Sequence, residues 1–142
     1  MADDGDLDVL VRQIRAETSE IRSFVLEACP GENLPAFEAG AHIDVFPLPG
    51  FCRQYSLVND PADRSRYVLG VKREQNGRGG SSAMHSQVGE GSHLRISRPR
   101  NNFALHANSG RNLLLAGGIG VTPLLSMAQA LAARGGDFQL HY

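Results

Sequence analysis

Arg53-Gln54-Tyr55-Ser56-Leu57 is the stretch around which the rest of the 142-residue chain is organised. It reads as a short strand: Tyr55 and Leu57 alternate with polar neighbours, and Pro47, Pro49 and Gly50 stand just before as breakers. Stretches on both sides behave alike. Leu7 to Ile14 alternates through Val9 and Val11 and then slips parity at Ile14, which predicts a strand with a bulge. Ile21 to Leu26 puts Phe24 and Leu26 on one side, and Ala41 to Phe46 sets Ile43 and Val45 against Asp44. Tyr67 to Arg73 aligns Tyr67, Leu69 and Val71, and Ser92 to Ser97 aligns Leu94 and Ile96. Short strands separated by turns predict an antiparallel sandwich or barrel, and a closed barrel is expected because closure removes exposed edges.

The residue types of the central stretch suit a phosphorylated aromatic ligand such as a flavin. Arg53 is a planar, permanent cation able to grip a phosphate in bidentate fashion. Tyr55 offers a flat face to a ring system and a hydroxyl to its sugar chain, and Ser56 can bond a ring nitrogen whose protonation changes with redox state. Read alone, the same residues are a solvated arginine, a packed tyrosine and a satisfied serine. Further along stands Asn76-Gly77-Arg78-Gly79-Gly80-Ser81-Ser82. Its glycines let backbone amides turn toward a ligand, and Ser81 or Ser82 is expected to cap a short helix running to about Val88. The free N–H groups of such a helix start would accept a phosphate beside Arg53.

After Asn112 the character changes. Leu113-Leu114-Leu115 is a continuous apolar run, as in a parallel strand buried on both faces. Gly117-Gly118-Ile119-Gly120 follows, and a helical pattern of Leu124, Met127, Ala128 and Leu131 begins at Thr122 or Pro123. Gly135-Gly136 ends it, and Phe138 to Tyr142 starts another strand. This is one β-α-β unit, with glycines where a strand-to-helix turn approaches a pyrophosphate. The third glycine of the common dinucleotide fingerprint is replaced by Pro123. Asp137 lies near the spacing of a ribose-reading acid but precedes the second strand, so it takes no such assignment.

Taken together and in order, Arg53-x-Tyr55-Ser56-Leu57, Val71-Lys72-Arg73, Gly77-Arg78-Gly79-Gly80-Ser81 and Gly117-Gly118-Ile119-Gly120-Val121-Thr122-Pro123 resemble the ferredoxin-NADP reductase superfamily. Within it the chain is most similar to the FMN-containing reductases of phthalate dioxygenase and vanillate demethylase systems. The resemblance runs from about Leu7 to Tyr142. It implies an antiparallel Greek-key, FMN-binding β barrel over 1–107. The start of an α/β Rossmann-like nucleotide-binding domain would follow over 108–142. It implies cofactor contacts from Arg53, Tyr55, Ser56, Leu57, Val71, Lys72, Gly79, Gly80 and Ser81, and nucleotide contacts from Gly117, Gly118, Gly120 and Thr122. Thr122 matches the residue near which nicotinamide meets flavin in that family. FMN is favoured over FAD, whose second phosphate and adenine would need contacts not found here, and NADH over NADPH.

The implied activity is flavin-dependent oxidoreduction. Electrons would pass from NADH through FMN to an iron–sulfur acceptor serving a Rieske-type aromatic-ring oxygenase or O-demethylase. No catalytic acid or base is assigned, because direct hydride transfer needs none. The chain stops at Tyr142, where the family continues with further β-α units and an iron–sulfur domain, and it carries no Cys-x4-Cys-x2-Cys run. The alternative is therefore an FMN-binding module without independent NADH turnover. A single β-α-β unit would leave Leu113 to Leu115 and Leu140 partly exposed unless they pack on the barrel or on another copy, which predicts self-association or a loosely held C-terminal third.

Composition narrows the remaining classes. An apolar share of 42% is ordinary for a globular protein, and a net charge of −1 implies no general attraction to nucleic acid or acidic membranes. Cys29 and Cys52 are far apart and read as reduced thiols, and the five histidines lack metal spacing. The acidic start, without an apolar run, is expected to be a frayed tail rather than a signal peptide, and no stretch nears the ~20 apolar residues of a membrane helix, so a cytoplasmic protein is expected. Arg95, Arg98 and Arg100 form a small basic cluster after the barrel, either a solvated face or a docking point for an acidic partner.

Overall fold

The computed structural model describes residues 5–106 and 110–142. The expected boundary between 107 and 108 and most of the charged N-terminal tail lie outside the described residues.

Six strands form one antiparallel sheet: β1 (Leu7–Ala16), β2 (Ile21–Ala28), β3 (His42–Phe46), β4 (Arg53–Ser56), β5 (Tyr67–Lys72) and β6 (His93–Ile96). Their spatial order is β4-β3-β6-β1-β2-β5. The predicted bulge is present, because the β1–β2 register shifts between Val11 and Gln13. That shift brings Ile14 opposite Phe24, so that Ile14 packs on the core in phase with Val9 and Val11. The alternating residues of each strand fill the interior: Phe24, Leu26, Ile43, Val45, Tyr67, Leu69, Val71, Leu94 and Ile96 are all almost fully buried. The two sheet edges, β4 and β5, meet through an antiparallel bridge between Leu57 and Leu69 and a bond from Val58 N–H to the Val68 carbonyl at 2.9 Å. The barrel closes at this point, as expected, while β4 and the far end of β5 stay apart.

A short helix, α1 (Gly80–Ser86), seats Met84 and Ala83 against the barrel interior. It is tied down by its ring and its backbone: His85 Nε2 lies 2.8 Å from the Val71 carbonyl, and Arg22 donates to the His85 carbonyl at 2.7 Å. The expected serine cap is not made. Gly79 occupies the cap position at φ 98°, while the Ser81 hydroxyl accepts from the Glu74 N–H at 3.0 Å. A left-handed residue is needed to turn the glycine loop into the helix, and only glycine adopts that conformation without strain.

The C-terminal part pairs β7 (Asn112–Leu115) in parallel with β8 (Phe138–His141) through helix α2 (Val121–Ala133), preceded by a 3-10 turn at Gly118–Gly120. Leu124, Met127 and Leu131 of α2 pack with Leu114 and with Ala39 from the barrel side. The expectation of a strand buried on both faces is corrected here. Leu114 faces α2, but Leu113 and Leu115 are 59% and 68% exposed, because α2 covers one face of the two-stranded sheet. Partial exposure of these leucines agrees with the reading of a single β-α-β unit.

Leu69 sits fully buried at the closing bridge, so Leu69→Ala is expected to lower stability by about 3 kcal/mol, read as a fall in the urea midpoint. Leu113→Lys on the bare sheet face should change it by less than about 0.5 kcal/mol in the same assay.

Candidate functional site

Closure of the barrel sets one end of β4 beside β5, and α1 and the start of α2 wall the gap between them. The result is an open cleft of about 410 Å³ lined by Arg53, Gln54, Tyr55, Ser56, Gly70, Lys72, Glu74, Gly77, Arg78, Gly80, Ser81, Ile119, Gly120, Thr122 and Pro123. Its size lies within the range of small-molecule sites. Three stretches that are far apart in sequence thus face one space: the strand at residues 53–56, the glycine loop at 77–81 and the strand-to-helix turn at 119–123.

Arg53 lies directly against Gly80. A Cβ added at Gly80 would stand 2.5 Å from Arg53 Nε and 2.8 Å from Cζ, so only glycine leaves room for the guanidinium. Among the described residues its hydrogen bond from Nη1 to the neighbouring Cys52 carbonyl at 2.7 Å leaves most of its donors unused. Among the described residues, none of the cations lining the cleft (Arg53, Lys72 and Arg78) makes an ion pair; Glu74 is the acid among the lining residues. The cleft is therefore net positive and suited to a phosphate.

Tyr55 pairs with Ile43 and packs partly on the core. Its hydroxyl is buried and has no hydrogen-bond partner among the described residues. A buried hydroxyl without a partner loses the bonds it made to water, and a polar ligand in the cleft is one way to restore one. Desolvation pushes the Tyr55 phenol up to about 12, with the Arg53 charge pulling the other way. Burial does the same to Tyr67, which is also pushed up to about 12 and donates to the Pro35 carbonyl at 2.5 Å.

On the opposite wall, Thr122 leans over Gly70. A Cβ at Gly70 would come within 3.1 Å of Thr122 Cγ2 and 3.9 Å of Ile119 Cδ1. The Thr122 hydroxyl donates to the Ile119 carbonyl at 3.0 Å and so holds the turn in shape.

Not every residue nominated from the sequence lines this space. Arg53, Tyr55, Ser56, Lys72, Gly80, Ser81, Gly120 and Thr122 do. Leu57 and Val71 are fully buried in the core, where their side chains serve the barrel. Gly79 stands behind the loop against the Phe51 ring, and Gly117 and Gly118 lie in the turn but outside the lining, Gly118 with φ 56°. Gln54, Gly70, Glu74, Gly77, Arg78, Ile119 and Pro123 join the lining without having been nominated. Gly70 carried a legible signal, a lone glycine inside a strongly alternating strand, which marks a close approach by another segment. Of the basic cluster, Arg95 pairs with Asp6 at 3.4 Å and stacks 4.5 Å from the Phe46 ring, and Arg100 pairs with Asp44 at 2.7 Å. Asp137 is held by Arg111 at 3.4 Å. Among the described residues no group of three or more His, Cys, Asp or Glu side chains gathers, and no helix is long and apolar enough to cross a membrane.

Comparison with known proteins agrees with this architecture. No protein-family model matches the chain. It is 47% identical over 137 residues to the vanillate O-demethylase oxidoreductase of Acinetobacter baylyi and 50% identical over 136 residues to that of Pseudomonas putida. Each alignment takes in 96% of this chain, but it spans only 43% and 42% of those relatives. The chain also superposes on the solved structure of phthalate dioxygenase reductase with a TM-score of 0.93 and 45% identity. That match covers 98% of this chain and 44% of the other, which is described as a modular structure for electron transfer from pyridine nucleotides to [2Fe-2S]. The chain is thus a homologue of these oxidoreductases along nearly its whole length, and its barrel followed by a β-α unit is the ferredoxin reductase-like fold.

The shifted phenols give a pH signature. Below about pH 10 both tyrosines are protonated whether the chain is folded or not; above it the unfolded chain ionises first, so stability is lost as pH rises from about 10 to about 12. Phenolate absorbance of the ligand-free protein should show Tyr55 and Tyr67 ionising near pH 12.

Proposed function

We propose that the cleft binds flavin mononucleotide and that the chain takes part in passing electrons from NADH to an iron–sulfur acceptor. The acceptor would serve an aromatic-ring oxygenase or O-demethylase. The observation that carries this reading is the guanidinium of Arg53 laid against Gly80, free of any carboxylate among the described residues, with the Gly120–Thr122 turn facing it across one cleft. Arg53 with Lys72, Arg78 and the glycine loop would hold the phosphate. Tyr55 would lie along the ring or its sugar chain and give its orphaned hydroxyl a partner, and Ser56 would bond the ring edge. Thr122 and Ile119 would place a nucleotide over that ring and keep water from it. A flavin held there supplies hydride acceptance and release of single electrons. Residues 1–107 are read as the flavin domain and 108–142 as the first unit of the nucleotide domain. The names of the relatives support the electron-transfer role.

A second reading, a flavin module without independent NADH turnover, is favoured by the bare face of β7 and β8, where Leu113 and Leu115 stand open. That face also supports self-association: light scattering should report a species larger than one chain, and a monomer at every concentration overturns this part.

A visible absorption spectrum taken before and after anaerobic NADH separates the readings. A yellow protein that bleaches supports the reductase; a yellow protein that does not supports the module. A colourless protein that gains no thermal stability from added FMN overturns both. Arg53→Ala removes charge-assisted bonds of about 1.5–3 kcal/mol, so FMN affinity should fall by tenfold or more in a fluorescence titration. Gly80→Val, which drives the guanidinium from its place, should do the same without removing any charge.

A further inference from the structure

Two side chains of α2 reach the barrel and end on adjacent carbonyls. Ser126 is fully buried, and its hydroxyl donates to the Asn59 carbonyl at 2.8 Å. Gln129 donates through Nε2 to the Val58 carbonyl at 2.9 Å. These acceptors begin two residues after Ser56, at the exit of the strand that lines the cleft. They are themselves held firm. Asn59 Oδ1 accepts from the Val68 N–H at 3.0 Å, Asn59 Nδ2 donates to the Arg66 carbonyl at 2.9 Å, and the Val58 N–H bonds the Val68 carbonyl at 2.9 Å. Ser126 stands four residues after Thr122, one turn along the same helix face, and Thr122 fits into the space that Gly70 leaves on β5. Serine is a poor choice for an apolar, buried helix position unless its hydroxyl is used, since alanine would pack there at no polar cost.

We infer that Ser126 and Gln129 are positioning residues: a two-bond latch that sets the Ile119–Thr122 turn at a fixed height against β5, across the cleft from β4, so that a nucleotide donor and the flavin ring meet in register. The inference rests on the flavin reading and adds to it the groups that align its two halves. They touch neither cofactor nor substrate; their effect passes through the turn.

The test uses the 142-residue chain loaded with FMN, comparing wild type with Ser126→Ala and Gln129→Met. FMN affinity and the rate of reduction by dithionite, which needs no docked nucleotide, are expected to stay within about twofold. The limiting rate of anaerobic reduction by NADH is expected to fall by about tenfold or more, the usual effect of a small misplacement of reacting groups. Gln129 is exposed, so its variant keeps the test available if Ser126→Ala folds poorly. Variants that NADH reduces as fast as wild type overturn the inference. So does an equal loss toward dithionite and NADH, which would mark a merely structural role, and so does a wild type that binds FMN yet is not reduced by NADH. A chain that takes up no FMN overturns the flavin reading itself, and with it the latch.

Discussion

The antiparallel contact between Leu57 and Leu69 joins the two ends of the six-stranded sheet. Before it forms, β4 and β5 are the far edges of that sheet, and the residues facing the cleft belong to opposite ends of it. Once it forms, Arg53 to Ser56 lie beside Gly70 and Lys72, and the glycine loop that leaves β5 is carried back over β4. Both leucines are fully buried, so the hydrophobic gain that closes the barrel is also what assembles the site. The cleft is a consequence of closure rather than a separate feature placed on a finished scaffold.

Charge and space in the cleft then follow from simple constraints. Three cations gather where the one acid among the lining residues is Glu74, an arrangement that repels itself in the empty protein and relaxes when an anion enters. The Arg53 guanidinium finds room because Gly80 has no side chain, and the Tyr55 hydroxyl is buried without a partner among the described residues. Each of these features costs a little stability in the empty protein. Such costs are common where a structure is shaped for a ligand rather than for itself.

The C-terminal unit has a different balance. One face of its two-stranded sheet packs on α2, and α2 packs on the barrel through Leu124, Met127 and Leu131 with Ala39. The other face carries two open leucines. The chain spans about two fifths of the length of the oxidoreductases it matches, and how that face is covered depends on what it meets.

Much of this was legible in the chain itself. Alternation gave the strands, and the parity slip at Ile14 gave the bulge, because a period of two leaves no freedom once one face must be dry. The order of the four motifs pointed to the ferredoxin reductase-like fold, since each motif is weak alone and their conjunction is not. Local chemistry misleads in two places: a serine beside a helix start suggests a cap where a left-handed Gly79 makes the turn, and a run of leucines suggests a strand buried on both faces where one face stands open. The roles of Leu57 and Val71 as core residues, the entry of Glu74 and Ile119 into the cleft and the reach of Ser126 to Asn59 came from tertiary structure alone. Sequence determined which face of each strand is apolar, because that depends on neighbours one and two residues away. Only the folded chain decided which polar groups share a space, because that depends on contacts between stretches remote in sequence, as in the 67-residue separation of Ser126 and Asn59.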